Sequence, residues 1–250
     1  MPKKIKAGFY SLSCCEGCEI VMFDLEEKFL KVLNFVEIVE ARLFDGKHPK
    51  EKLDIAIVEG CVESDVDKKH LLEIRARSKY LVAFGACATI VGIPGIRNAL
   101  PLEMQKKLKR KAIIPVKEKA LPLSAFVKVD ALLQGCPAFT HEIIDVLVKI
   151  YHGIVPSLEE VPVCNECKER ENPCLLFEGV PCLGPVTYAG CKALCPSEKA
   201  QCIGCRGFTK DGNFEALREK FQEMGTPKKE IQNLFTYFNK DPFTKEEGEK

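Results

Sequence analysis

The sequence carries almost no net charge: 37 lysines and arginines face 36 aspartates and glutamates, leaving +1 at pH 7. A chain so balanced has no field to recruit nucleic acid or an anionic membrane, and partners held by charge alone are excluded. It also lacks a long apolar run. The longest stretch without a charged residue, Tyr80 to Ile96, is interrupted by Gly85, Gly92, Pro94 and Gly95, which suits a strand and turn rather than a membrane span. The opening residues, MPKKIKAGFYSLSCC, hold no apolar segment ahead of a small-residue cleavage site, and no two arginines are adjacent. With neither a secretory nor a twin-arginine signal legible, the expected location is the cytoplasm. No phosphate-cradling glycine fingerprint follows the first apolar run, where CCEGC stands instead, and flavin is not expected in this chain. The histidines show no ligand spacing.

Cysteine, by contrast, is abundant: 14 in 250 residues. In a reducing compartment disulfides are opposed, and such density is better explained by thiolates bound to metal. Cys14, Cys15, Cys18, Cys61, Cys87 and Cys136 are scattered over the first part, while the remainder crowd between Cys164 and Cys205. Two architectures are implied. Residues 1–155 alternate short apolar runs (IKAGFYSL, VEIVEARL, DIAIVEG, KYLVAFGAC, KVDALLQGC) with amphipathic stretches at helical spacing (Glu19–Leu33, ESDVDKKHLLEIRAR, Phe139–Tyr151). That alternation predicts an α/β fold, a doubly wound parallel sheet of the flavodoxin type. Residues 156–250 are rich in Cys, Pro and Gly, with too little apolar sequence for a large core. They read as a smaller cysteine-rich domain stapled by metal, followed by two short helices around Gly225-Thr226-Pro227 and a frayed end.

The six cysteines of the first domain follow apolar runs, so they are expected at strand carboxyl ends. In a parallel sheet these ends share one edge, the edge where such folds bind ligands, and residues over a hundred positions apart can converge there. Glycines beside them, Gly17, Gly60, Gly85 and Gly135, let the backbone turn tightly and aim amides at sulfur. In the second domain Cys164, Cys167, Cys174, Cys182, Cys191, Cys195, Cys202 and Cys205 suffice for two four-thiolate sites. Spacing leaves two structural zincs and two cubane clusters both open. The C-x3-C-P ending at Cys191, Cys195 and Pro196, and the apolar interior of CIGC, favour iron. Glu16 and Glu59 flank these positions and are either proton carriers or solvated acids.

Taken in order, Cys15-Glu16-Gly17-Cys18, GACA (85–88), GCP (135–137), PCLGPVTYAGC (181–191) and CIGCRG (202–207) resemble the small, electron-transfer subunit of cytosolic nickel-iron hydrogenases, of the NAD(P)-linked, sulfhydrogenase or deazaflavin-reducing type. The resemblance implies three 4Fe–4S clusters and neither nickel nor flavin in this chain. It implies a proximal cluster on Cys15, Cys18, Cys87 and Cys136, a medial one on Cys191, Cys195, Cys202 and Cys205, and a distal one on Cys164, Cys167, Cys174 and Cys182. It further implies a separate nickel-iron large subunit and a downstream redox subunit, a flavoprotein diaphorase or similar; the second domain, which follows the edge-bound cysteines and ends in loops and helices open to a partner, is expected to be the electron exit. Cys14 and Cys61 depart from this pattern. The tandem Cys14-Cys15 resembles instead the cluster-bearing subunit of respiratory complex I, so a quinone-reducing module is the alternative, and a two-zinc interaction module a further one.

Overall fold

The computed structural model describes residues 4–23, 27–41, 51–111, 116–117, 119–157, 160–240 and 242–243. The frayed end and the middle of the expected Glu19–Leu33 helix fall largely outside these. The chain divides into two compact units, Met1–Leu158 and Glu159–Lys250.

In the first unit the elements run β1 (Ile5–Ser11), α1 (Gly17–Phe23), α2 (Glu27–Val32), β2 (Val36–Ala41), β3 (Leu53–Glu59), α3 (Asp65–Arg77), β4 (Ser78–Phe84), α4 (Gly85–Ile90), α5 (Leu102–Lys111), β5 (Ala131–Leu133) and α6 (Thr140–Tyr151). All strand pairings are parallel, in the order β2-β1-β3-β4-β5. This is the flavodoxin order, whose topological switch point lies between β1 and β3.

The period-2 alternation of strand side chains builds two apolar layers. Phe9, Ile55, Ile57, Val82 and Phe84 point to one face and meet Met22, Val32 and the Ile143, Val146, Leu147, Ile150 stripe of α6. Tyr10, Ala56, Val58, Leu81 and Ala83 point to the other and meet Leu71 and Ile74 of α3. Helix α3 starts on a capping box: the Ser64 hydroxyl accepts from the Asp67 amide (3.0 Å) and the Asp67 carboxylate accepts from the Ser64 amide (2.9 Å). Such a cap contributes about 1 kcal/mol. The same carboxylate accepts from the Ser13 hydroxyl at 3.1 Å, tying the chain after β1 to the start of α3 immediately before the tandem cysteines.

The second unit contains α7 (Val163–Glu169), α8 (Leu194–Ser197), α9 (Phe214–Glu223) and α10 (Lys228–Thr236). Its cysteine-rich half is more regular than composition implies, since Cys164 and Cys167 sit on α7 rather than in a loop. Metal is not its only staple either. Leu183, Val186, Leu217, Phe221, Ile231, Leu234 and Phe235 form an apolar core, with the Phe208 and Phe214 rings 5.1 Å apart at its edge. Burial of Phe221 and Phe235 stabilises it by roughly 1.5–3 kcal/mol each.

Candidate metal centres

The carboxyl ends of β1 and β3 flank the switch point, and the CCEGC segment occupies it. Glu16 turns the chain with a left-handed φ of 61°, after which α1 begins and carries Cys18 inward. Cys87 departs from its expected place at a strand end: β4 stops at Phe84, and the thiol sits on the first turns of α4. The turn is possible because Gly85 has φ +83°, and because a Cβ there would stand 2.5 Å from the Cys18 sulfur, a space only glycine leaves open. The carbonyl of Gly135 accepts from the Ala86 amide at 2.7 Å, which fixes the turn bearing Cys136 beside α4. The four thiols thereby come within electrostatic reach of one another. Burial is the first cause of the raised pKa values of Cys18, Cys87 (to about 12) and Cys136; the charges of Glu59, Cys87 and Cys136 add to it at Cys18, those of Cys136 and Cys15 at Cys87, and that of Cys15 at Cys136. The Ala138 amide opposes the rise by donating to Cys18.

Cys14 and Cys61 also lie within the electrostatic reach of Cys87 but make contacts of their own. The Cys14 thiol donates to the Glu59 carboxylate at 2.9 Å, and burial followed by this contact pushes its pKa up. Cys61 is fully buried against Val91 and Ala120, its thiol 3.5 Å from the Ser13 carbonyl. Glu59 is 2% exposed, so it is no solvated acid; it also accepts from the Glu19 amide at 3.0 Å, and burial raises its pKa.

In the second unit Cys164, Cys167, Cys174 and Cys182 lie within mutual repulsion, which after burial raises Cys164 to about 11. A Cβ on Gly184 would fall 3.4 and 3.5 Å from the sulfurs of Cys164 and Cys182. The Cys182 sulfur accepts from the amides of Gly184 and Cys202, the latter at 3.4 Å. Cys202 feels the charge of Cys182 first and then that of Cys205, so it stands close to both groups of cysteines. Consecutive left-handed residues, Lys192 (φ 54°) and Ala193 (φ 48°), turn the Ala193 and Leu194 amides toward the Cys191 sulfur, an anion-accepting nest. Cys195 lies in α8, four residues on.

Composition did not reveal two further residues at these sites. Glu166, inside CNEC, accepts from the amides of Gly190 (2.9 Å) and Ala193 (3.2 Å), and Asn172 approaches the Cys167 sulfur at 3.6 Å while donating to the Ser197 hydroxyl at 3.0 Å. The signal for Glu166 is its place between two candidate ligands. Among the described residues, no three His, Cys, Asp or Glu side chains are grouped so as to hold one metal ion.

The chain matches the family described as NADH ubiquinone oxidoreductase, 20 Kd subunit, over residues 15–150. It is 39% identical over 233 residues to sulfhydrogenase 2 subunit delta of Pyrococcus furiosus, a match covering 91% of this chain and 96% of that one. The chain belongs to the hydrogenase small-subunit family. The hydrogenase match extends well beyond residue 150 into the second unit, which the complex I resemblance did not account for. This small subunit is also 34% identical over 237 residues to a subunit of the F420-non-reducing hydrogenase vhu of Methanocaldococcus jannaschii, with 82% of each chain covered. A chain of the NAD+-reducing [NiFe]-hydrogenase in its H2-reduced state superposes with a TM-score of 0.56 and 27% identity, covering 63% of this small subunit and 96% of that chain.

Proposed function

We propose that this chain relays electrons through three 4Fe–4S clusters, between a nickel-iron site on a large subunit and a downstream redox subunit such as a flavoprotein diaphorase. The observation that carries the reading is the convergence of Cys15, Cys18, Cys87 and Cys136 near the sheet's switch point, from three segments of the first unit, beside a glycine cradle. These four hold the proximal cluster. Cys191, Cys195, Cys202 and Cys205 hold the medial one, and Cys164, Cys167, Cys174 and Cys182 the distal one. The fit rests on the donors. They are all sulfur, the ligand set that 4Fe–4S clusters take, with backbone amides directed at several of them.

Bound there, the clusters supply one-electron, outer-sphere transfer at potentials set by hydrogen bonds to sulfur, charge and burial. The chain's own part is to hold the thiolates, aim amides at them and limit water. Amides of Ala138, Gly184, Cys202, Ala193 and Leu194 donate to candidate ligand sulfurs. Exposed Cys15 and Cys136 suit contact with a large subunit, and exposed Cys174, near Phe177 at 89% exposure, suits an exit to a redox partner. No helix among the described residues is long and apolar enough to cross a membrane.

Iron and sulfide analysis tests the proposal. Anaerobically reconstituted chain should carry about twelve iron and about twelve acid-labile sulfide. Zinc as the sole metal, or iron for a single cluster, would overturn it.

A further inference from the structure

Arg206 is 1% exposed, a full positive charge enclosed in the second unit. Its Nε donates to the carbonyls of Tyr188 (3.2 Å) and Ala189 (2.7 Å), which lie shortly before Cys191, while Arg206 itself directly follows Cys205. The guanidinium is therefore held between two of the segments that supply the medial site. Guanidinium keeps its proton under all ordinary conditions, so the charge there is permanent.

Glu166 faces the same site with the opposite sign. Its carboxylate, held by the Gly190 and Ala193 amides, stands 3.8 Å from the Cys191 sulfur. The two charges of opposite sign thus flank the Cys191 segment, the carboxylate beside the sulfur and the guanidinium on the carbonyls of Tyr188 and Ala189. They are not equally screened. Glu166 is only partly buried, whereas Arg206 is almost wholly withdrawn from water, where the field of a charge is least damped.

We propose that Arg206 sets the reduction potential of the centre on Cys191, Cys195, Cys202 and Cys205, its buried charge stabilising the reduced form. This rests on the three-cluster reading. Reduction adds one electron and one negative charge to that centre, and Arg206 neither gains nor loses a proton. Net charge is among the levers that set iron-sulfur potentials, so a fixed cation raises the potential and a fixed anion lowers it. Arg206 acts as a positioning residue for electrons, without ligating the centre.

The test is a redox titration of the reconstituted full chain, followed by electron paramagnetic resonance, on wild type, Arg206→Gln, Arg206→Lys and Glu166→Gln. Arg206→Gln should move one of three midpoint potentials downward and leave two in place. Arg206→Lys should restore that midpoint although it loses the planar fork, and Glu166→Gln should move the same midpoint upward. A stapling role alone predicts that Lys shifts the midpoint as much as Gln does; that result, or three unmoved midpoints at full iron content, overturns the inference. Should Arg206→Gln not retain its iron, Glu166→Gln decides, and an unmoved midpoint there counts against it. Wild type with iron for fewer than three clusters defeats the cluster reading instead, so the two failures are distinguishable.

Discussion

Replacing Gly85 with alanine tests whether the switch-point cradle is what allows the proximal sulfurs to meet. Two costs follow from the geometry. At φ +83° any residue with a Cβ is strained, by roughly 1–2 kcal/mol. The new methyl would also stand 2.5 Å from the Cys18 sulfur, and forcing an extra methyl into a packed site costs typically about 1–3 kcal/mol. Together these predict a loss of about 2–5 kcal/mol, a large part of an ordinary domain's stability. Gly153 supplies the control: its φ is +76°, but a Cβ there meets nothing within 4 Å, so Gly153→Ala should lose only the strain, about 1–2 kcal/mol.

Denaturant unfolding of both variants, paired with iron analysis after reconstitution, separates the two effects. Gly153→Ala should keep wild-type iron. Gly85→Ala should lose about four iron per chain, because the methyl displaces the Cys18 sulfur from its three neighbours. If Gly85→Ala retained full iron and unfolded no more easily than Gly153→Ala, the cradle argument would be wrong.

Other outcomes can be checked in the same preparations. Cys14→Ser should retain the proximal cluster's paramagnetic signal, whereas Cys18→Ser, which removes the sulfur seated against Gly85, should lose or convert it; the reverse pattern would indicate a tandem-cysteine site of the complex I type. Cys167→Ser should impair reduction of the physiological partner more than dihydrogen uptake with a small dye, and equal loss of both in an assembled complex would count against the second unit as the exit. Asp130 accepts from the Leu81 amide (2.9 Å) and Arg75 (2.6 Å); burial pushes its carboxyl up, but these partners outweigh it and hold it below its ordinary value. Asp130→Ala should therefore cost about 1.5–3 kcal/mol at neutral pH. Because the folded-state pKa is depressed, that contribution is present above about pH 3.9 and lost as pH falls through the lower folded value, so unfolding curves of wild type and variant should converge in acid.

The sheet was legible in the sequence because its strands are short apolar runs between helical periods, and the switch-point location of Cys15 and Cys18 followed from chain order alone. The misplacement of Cys87 has a local cause: Tyr80 to Cys87 carries no charge, and only the backbone reveals that the strand stops at Phe84 and a helix starts at Gly85. Helix α5, LEMQKKLKRK, went unread for another reason. It consists of strong helix formers but holds only three apolar residues, Leu102, Met104 and Leu108, all of them exposed in the fold. Helix α7 hid behind the composition of its neighbours, and although the two terminal helices were legible, their packing on Leu183 and Val186 was not, because those residues lie well upstream of them in a Cys- and Pro-rich stretch. Burial of Glu59 was equally invisible, since an acid at a strand end reads as solvated until the helix over it is known.

The two units solve one problem by different means. In the first, hydrogen-bonded parallel strands fix where each chain segment stops, so sulfurs distant in sequence reach one edge with little local machinery beyond Gly85. The second has no sheet among its described residues, and its cysteines come in short local pairs, Cys164 with Cys167 and Cys202 with Cys205. There the positioning passes to side chains and strained turns: Glu166 ties α7 to the Cys191 loop, Asn172 ties the Cys167 region to Ser197, and Lys192 and Ala193 adopt left-handed backbone without being glycine. Each such residue costs of order 1–3 kcal/mol and persists only where its surroundings impose it. The α9–α10 core and the bonds of Glu166 and Arg206 supply that support. Polar groups enlisted to shape the backbone around sulfur also bring charge close to it, and in this unit the architecture and the electrostatics of the candidate centres are carried by the same few side chains.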